Sequence, residues 1–136
     1  MSLALVGRGQ TLPEAFASAA LALFAQAVAP DLVEPREVRE VRAHGQTLEG
    51  LLVHWIGECR YVHEIEGFVC RRIEVPVFDA ETRGGSEPLR LHAILHGEEV
   101  DPGRHGRVGT MQGVIASGAA IEPVPDGFEV RMAWDT

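Results

Sequence analysis

The sequence predicts an α+β fold in which two main helices pack on a mainly antiparallel β-sheet. Three observations support this. Residues Leu12 to Val28 and Leu48 to about His63 each follow a helix-start signature and carry apolar residues at helical spacing. After Gly67 the period changes to the alternation of strands. Helices that precede a run of strands favour helices gathered on one face of an antiparallel sheet. The chain of 136 residues can bury one sizeable core. No linker or low-complexity segment divides it, so residues 1–136 are expected to form a single domain.

Leu3 to Val6 reads as a short first strand, turned by Gly7-Arg8-Gly9. Thr11 and Glu14 then form a capping box, in which hydroxyl and carboxylate each satisfy a free backbone N–H at the helix start. Between Glu14 and Val28 only Ser18 and Gln26 are polar. A helix apolar on nearly every face is buried on nearly every face. It is expected between a sheet and the second helix, or under an oligomer contact such as a homodimer. Ala29-Pro30-Asp31 ends it, because Pro cannot continue a helix. Glu37 to Ala43 reads as a strand. Thr47 is placed to cap the second helix, whose stripe is Leu51, Leu52, Trp55, Ile56, Cys59 and Val62. Later strands are expected at Phe68 to Asp79, Leu89 to Gly97, Val108 to Val124 and Phe128 to Asp135. The turns between them fall at Thr82 to Ser86, Gly97 to Gly106 and Pro125-Asp126-Gly127. Pro76 marks an edge strand or a bulge. The helix-then-strands pattern occurs twice, a weak internal pseudo-repeat.

Composition excludes several function classes. The chain is 46% hydrophobic and 24% charged, ordinary for a folded domain. No apolar run reaches the length of a membrane span, and Met1 to Leu5 lacks the basic region and cleavage site of a signal peptide. A cytoplasmic protein with no membrane partner is expected. The net charge is −8 and every basic residue is Arg or His. Nucleic-acid affinity rests on neutralising phosphates, so strong direct binding of RNA is not expected. The acidic balance suits a basic partner, or solubility alone. Cys59 and Cys70 make no disulfide framework. With His54 and His63 they fit no standard zinc spacing, and Cys59 sits on an apolar stripe as a small hydrophobe. No Ser lies in a nucleophile elbow. A small hydrolase or metal enzyme is therefore the lowest-ranked reading.

Thr11-Leu12-Pro13-Glu14-Ala15-Phe16 with its Ala/Leu helix, Leu51-Leu52-Val53-His54-Trp55, and Glu66-Gly67-Phe68-Val69 together resemble the archease family. These are core and capping residues, so the resemblance speaks first for fold, over residues 3 to 136. It implies an accessory protein that assists guanylylation and turnover of a GTP-dependent RNA ligase in tRNA splicing or other tRNA processing and RNA repair. It also implies a metal site for a divalent cation, calcium or magnesium, whose hard oxygen ligands would include Asp135 and the terminal carboxylate of Thr136. The family's first strand bears a His-Thr-Ala-Asp motif whose Asp completes that site. Here Ser2 falls about where that Asp stands, so a divergent member with a weakened or absent cation is expected. Asp101 and His105 match the family stretch before the penultimate strand and are candidates for a partner-facing loop. The alternative for both is a polar loop with an Asp-Pro turn. The family's Val-Lys-Ala-Val-Thr-Tyr-His becomes Val108-Gly109-Thr110-Met111-Gln112-Gly113-Val114. Two readings follow: a working ligase assistant, or an archease-fold binding or assembly module that has lost both metal site and ligase role.

Overall fold

The computed structural model describes residues 2–80, 88–111 and 115–135, with side chains described for residues 4–80, 88–111 and 118–133. The elements run β1 (Ser2–Gly9), α1 (Leu12–Ala25), a 3₁₀ turn (Pro30–Leu32), β2 (Glu37–Gly45) and α2 (Leu48–Glu66). They continue with β3 (Phe68–Asp79), β4 (Leu89–Glu99), the short helix α3 (Pro102–His105), β5 (Ile115–Val124) and β6 (Gly127–Asp135). The expected turn at Thr82 to Ser86 lies outside the described residues.

The strands form two antiparallel three-stranded sheets, in the orders β1-β6-β5 and β2-β4-β3. The sequence reading had one sheet. Among the described residues β2, β3 and β4 pair only with one another, as do β1, β5 and β6. The two sheets repeat one plan. In each, a strand and its helix lead to a hairpin whose last strand inserts at the centre. The expected pseudo-repeat is therefore real, and it is nested: β2-α2-β3-β4 lies between α1 and β5 in the chain.

Helix α1 packs on β1, β3, β6 and α2, while α2 packs on β2, β5, β3 and β4. The chain itself thus covers the apolar excess of α1. Thr11 Oγ1 accepts the Glu14 N–H as the capping box requires, but the Glu14 carboxylate accepts from Gln10 rather than from Thr11. The helix stops at Ala25, short of the expected Val28. Ala27 and Val28 still bury their side chains, but the Ala27 carbonyl is taken by the Gly109 N–H at 2.8 Å. Helix α2 ends on Gly67, whose φ of 65° is the left-handed conformation that glycine tolerates best; its N–H caps the His63 carbonyl.

A single cluster of buried apolar side chains joins both units, with Phe16, Leu23, Phe24, Leu51, Trp55 and Phe68 among its largest. Trp55 is fully buried and its Nε1–H donates to the Phe16 carbonyl at 2.9 Å, tying α2 to α1. Pro76 meets both of its expectations: β3 is an edge strand, and its register slips between Glu74 and Val77. No helix among the described residues is long and apolar enough to cross a membrane.

Candidate functional site

The β1–β6 ladder runs from Ser2 opposite Asp135 to Gly9 opposite Phe128. Asp135 also pairs with Ile115 of β5, so it stands at the end of the central strand. The two positions at which the resemblance expects metal-binding carboxylates are therefore direct cross-strand neighbours. Facing positions in an antiparallel pair lie about 5 Å apart, close enough for two carboxylates to share a cation. A serine at position 2 offers no carboxylate. Hard divalent cations want several oxygen ligands and matching negative charge, so this donor set, one side-chain carboxylate short, does not fit a family-type site. The Asp135 side chain and all of Thr136 lie outside the described residues. Among the described residues no group of three or more His, Cys, Asp or Glu is arranged to hold a metal.

Asp101 and His105 belong to α3 and its cap, a helix where the sequence suggested only a turn. Asp101 is exposed and is the N-cap, with its side chain accepting the Gly103 N–H at 3.0 Å. Asp-Pro is a start signature in its own right, but four residues are too few to show a period. His105 is 5% exposed and faces inward. The Asp101 N–H donates to its Nδ1 at 2.9 Å, which puts the ring proton on Nε2. Nε2 then donates to Glu98 Oε2 at 3.1 Å.

Glu98 is the centre of this loop and was not singled out in the sequence. It is 4% exposed, and its carboxylate also accepts from Arg104 Nη1 at 2.6 Å, Arg104 Nη2 at 2.8 Å and the Glu34 N–H at 2.6 Å. The bidentate Arg104 fork, with help from the Glu34 N–H and His105, holds the carboxyl far below the ordinary glutamate range against the opposing effect of burial. The cluster ties the chain after the 3₁₀ turn to the end of β4 and the neighbouring α3. Arg104 and His105 lie close to Glu98 in the chain, but the Glu34 N–H comes from far upstream, so the sequence holds only part of the cluster within one short stretch.

Val108 to Met111 were expected to open a strand; instead they run irregularly past the end of α1, and the strand begins at Ile115. Gly109 occupies the position of the family's Lys. A Cβ there would lie 2.2 Å from the Gln26 carbonyl oxygen, far inside contact distance. This backbone-on-backbone seat has no room for any side chain.

Cys59 and Cys70 are free and buried. Burial pushes the Cys59 thiol well up and the Cys70 thiol to about 12, so neither is poised as a nucleophile or thiolate ligand. We expect both thiols to react with a maleimide at pH 7 on the order of a hundredfold more slowly in the native protein than in denaturant. Rapid native labelling of either cysteine would show the burial to be wrong.

Three comparisons with known proteins bear on this geometry. The model of the Archease protein family matches residues 3–136. Protein archease of Pyrococcus abyssi is 37% identical over 121 residues, covering 89% of this chain and 82% of that protein. Protein archease of Pyrobaculum calidifontis is 41% identical over 102 residues, covering 74% and 65%. The solution structure of Methanobacterium thermoautotrophicum protein 1598 superposes with a TM-score of 0.63 at 21% identity, covering 99% of this chain and 91% of that one; it is similar in fold.

Proposed function

The chain belongs to the archease family, and on that footing we propose that it is a divergent archease-fold binding module, without the family's metal site and without its role at the RNA ligase. The observation that carries this is the pairing of Ser2 with Asp135: one carboxylate stands where a divalent cation would need two. Gly109 adds to it, since a lysine cannot be accommodated against the Gln26 carbonyl. The module acts by binding rather than catalysis. With a net charge of −8, it is suited to a protein with a basic surface rather than to an extended RNA backbone. Two free, buried cysteines suit a reducing, cytoplasmic setting.

The family match over residues 3–136 favours a second reading, in which the chain still assists guanylylation and turnover of a GTP-dependent RNA ligase. Multiple-turnover RNA joining by the same organism's ligase, with and without this protein, separates the two. The proposal expects no acceleration by the folded wild-type protein at any calcium or magnesium concentration. Acceleration that vanishes in Asp135→Ala would overturn it and establish a working ligase assistant.

A further inference from the structure

The sheet β2-β4-β3 turns one face to the helices and leaves the other free of them. On the free face, pairing sets Arg42 of β2 opposite His92 of β4, and His44 opposite Arg90. From the other edge Val77 faces His92 and Asp79 faces Arg90. The alternation of β2 confirms the sidedness: Val41 and Ala43 are buried, while Arg42 and His44 are exposed. Two guanidinium groups and two imidazoles thus form the corners of one square on adjacent strands. They border a cleft of about 480 Å³ to which Val77 also contributes.

Three features mark this square as a site for an anion. Several arginines elsewhere are paired with acids, as in Arg8–Glu129, Arg39–Glu66, Arg60–Glu64 and Arg104–Glu98, while Arg71 donates to the Pro30 carbonyl. Arg42 has no hydrogen-bond or ion-pair partner among the described residues, and Arg90 reaches Asp79 only at 3.8 Å. The Nε2 atom of His92 is buried without a hydrogen bond, a costly state for a polar atom; its nearest acid, Glu40, is 3.9 Å away. His44 is held edge-on against His54, ring centroids 4.6 Å apart, and His54 is itself fixed by the His44 N–H and by Glu58. The corner is therefore preorganised. The acids at the rim, Glu40 and Asp79, match the two arginines in number, so with histidines counted neutral the square carries no net charge, in contrast to −8 for the whole chain.

We propose that this cleft binds a phosphate ester with a flat organic body, of the nucleoside monophosphate class. Two arginine forks match the oxygens of a phosphate group bidentately. The volume lies in the small-molecule range of about 300–1,000 Å³, more than a bare ion needs. Val77, at 43% exposure, and the planes of His44 and His92 offer apolar and stacking surface to a base. A free mononucleotide and the terminal phosphate of an RNA present the same chemistry.

Isothermal titration of the full chain with GMP, guanosine, pyrophosphate and a 5′-phosphorylated RNA tetranucleotide tests this. One saturable GMP site is expected. It should weaken about tenfold or more in Arg42→Gln and in Arg90→Gln, and guanosine should not bind measurably. Both arginines are exposed, so unchanged melting temperatures will confirm that the variants fold. Arg72→Gln, on the same face but paired with Glu74, should leave affinity unchanged. Tetranucleotide binding tighter than GMP, with the same dependence on Arg42 and Arg90, supports the site and names RNA ends as the source. The reverse order supports it with free nucleotide as the source. No saturation by GMP up to about 5 mM, pyrophosphate binding as tightly as GMP, or an equal loss in Arg72→Gln would each overturn the assignment.

Discussion

Replacing Glu98 by Gln is expected to lower stability by about 3 kcal/mol at pH 7 and to flatten the acid limb of the stability curve. The carboxylate is buried and accepts from Arg104, His105 and the Glu34 N–H. The amide carries no charge, and its NH₂ can face one of these donors only as a mismatch. Removing one partner of a buried pair typically costs about 3–5 kcal/mol. Arg104 remains 33% exposed and can recover some hydration, which puts the expectation at the low end. The pH dependence follows from the direction of the shift. The Arg104 fork holds the Glu98 carboxyl below its ordinary value of 4.5. Its contribution is therefore complete above that value and is lost as pH falls below it toward the folded-state pKa. Urea unfolding between pH 7 and pH 3 should show wild type and variant far apart at neutrality and converging in acid. Some slope will remain in the variant, because Arg8 and Arg131 also hold Glu129 low, and Arg72 does the same for Glu74. Parallel curves would mean that the cluster does not hold the charge as described.

Gly109→Lys, the substitution that restores the family's residue, is expected to destabilise by about 2–3 kcal/mol. The conflict begins at the first side-chain carbon, 2.2 Å from the Gln26 carbonyl oxygen, and that oxygen belongs to backbone at the end of α1 rather than to a flexible side chain. Relief would stretch the bond between the Gly109 N–H and the Ala27 carbonyl. Gly109→Ala should therefore suffer most of the same loss, since it brings the same Cβ without the charge. Thermal melts of the two variants separate steric from electrostatic causes. A Lys variant as stable as wild type would show that the segment can move aside, and would reopen the ligase-assistant reading.

Legibility in the sequence followed the reach of the interactions. Thr11, Glu14 and Thr47 announced both helices because a cap acts within one turn. The long strands β3 and β4 were visible from alternation, and Pro76 gave away the edge and its bulge. Pairing partners were not legible: nothing near Leu3 says that it faces Trp134, so one sheet was expected where there are two. At the candidate site, Ser2 and Asp135 came into view only through the family resemblance, and the register then made them neighbours. Asp101 was visible as a turn former, whereas the inward side of His105 depends on a bond to Glu98, a carboxylate that the Glu34 N–H also holds from far upstream. Arg42 and His92 lie fifty residues apart, and only the ladder makes one square of them.

The nesting of one unit inside the other sets an order of assembly on the ribosome. The inner unit, Glu37 to Glu99, can pair all three of its strands while the rest is still being translated. The outer sheet cannot: β1 emerges first but pairs with β6, and Arg8 finds Glu129 across 121 residues of chain. Until the last strand leaves the exit tunnel, β1 is an unpaired edge and α1 lacks its packing on β6, which leaves both prone to association. Closure by β6 brings Asp135 to Ser2 in the same event. Truncation by a few C-terminal residues would therefore unpair the start of the N-terminal strand, Ser2 to Ala4, as well, and incomplete nascent chains are the species that holding chaperones would meet.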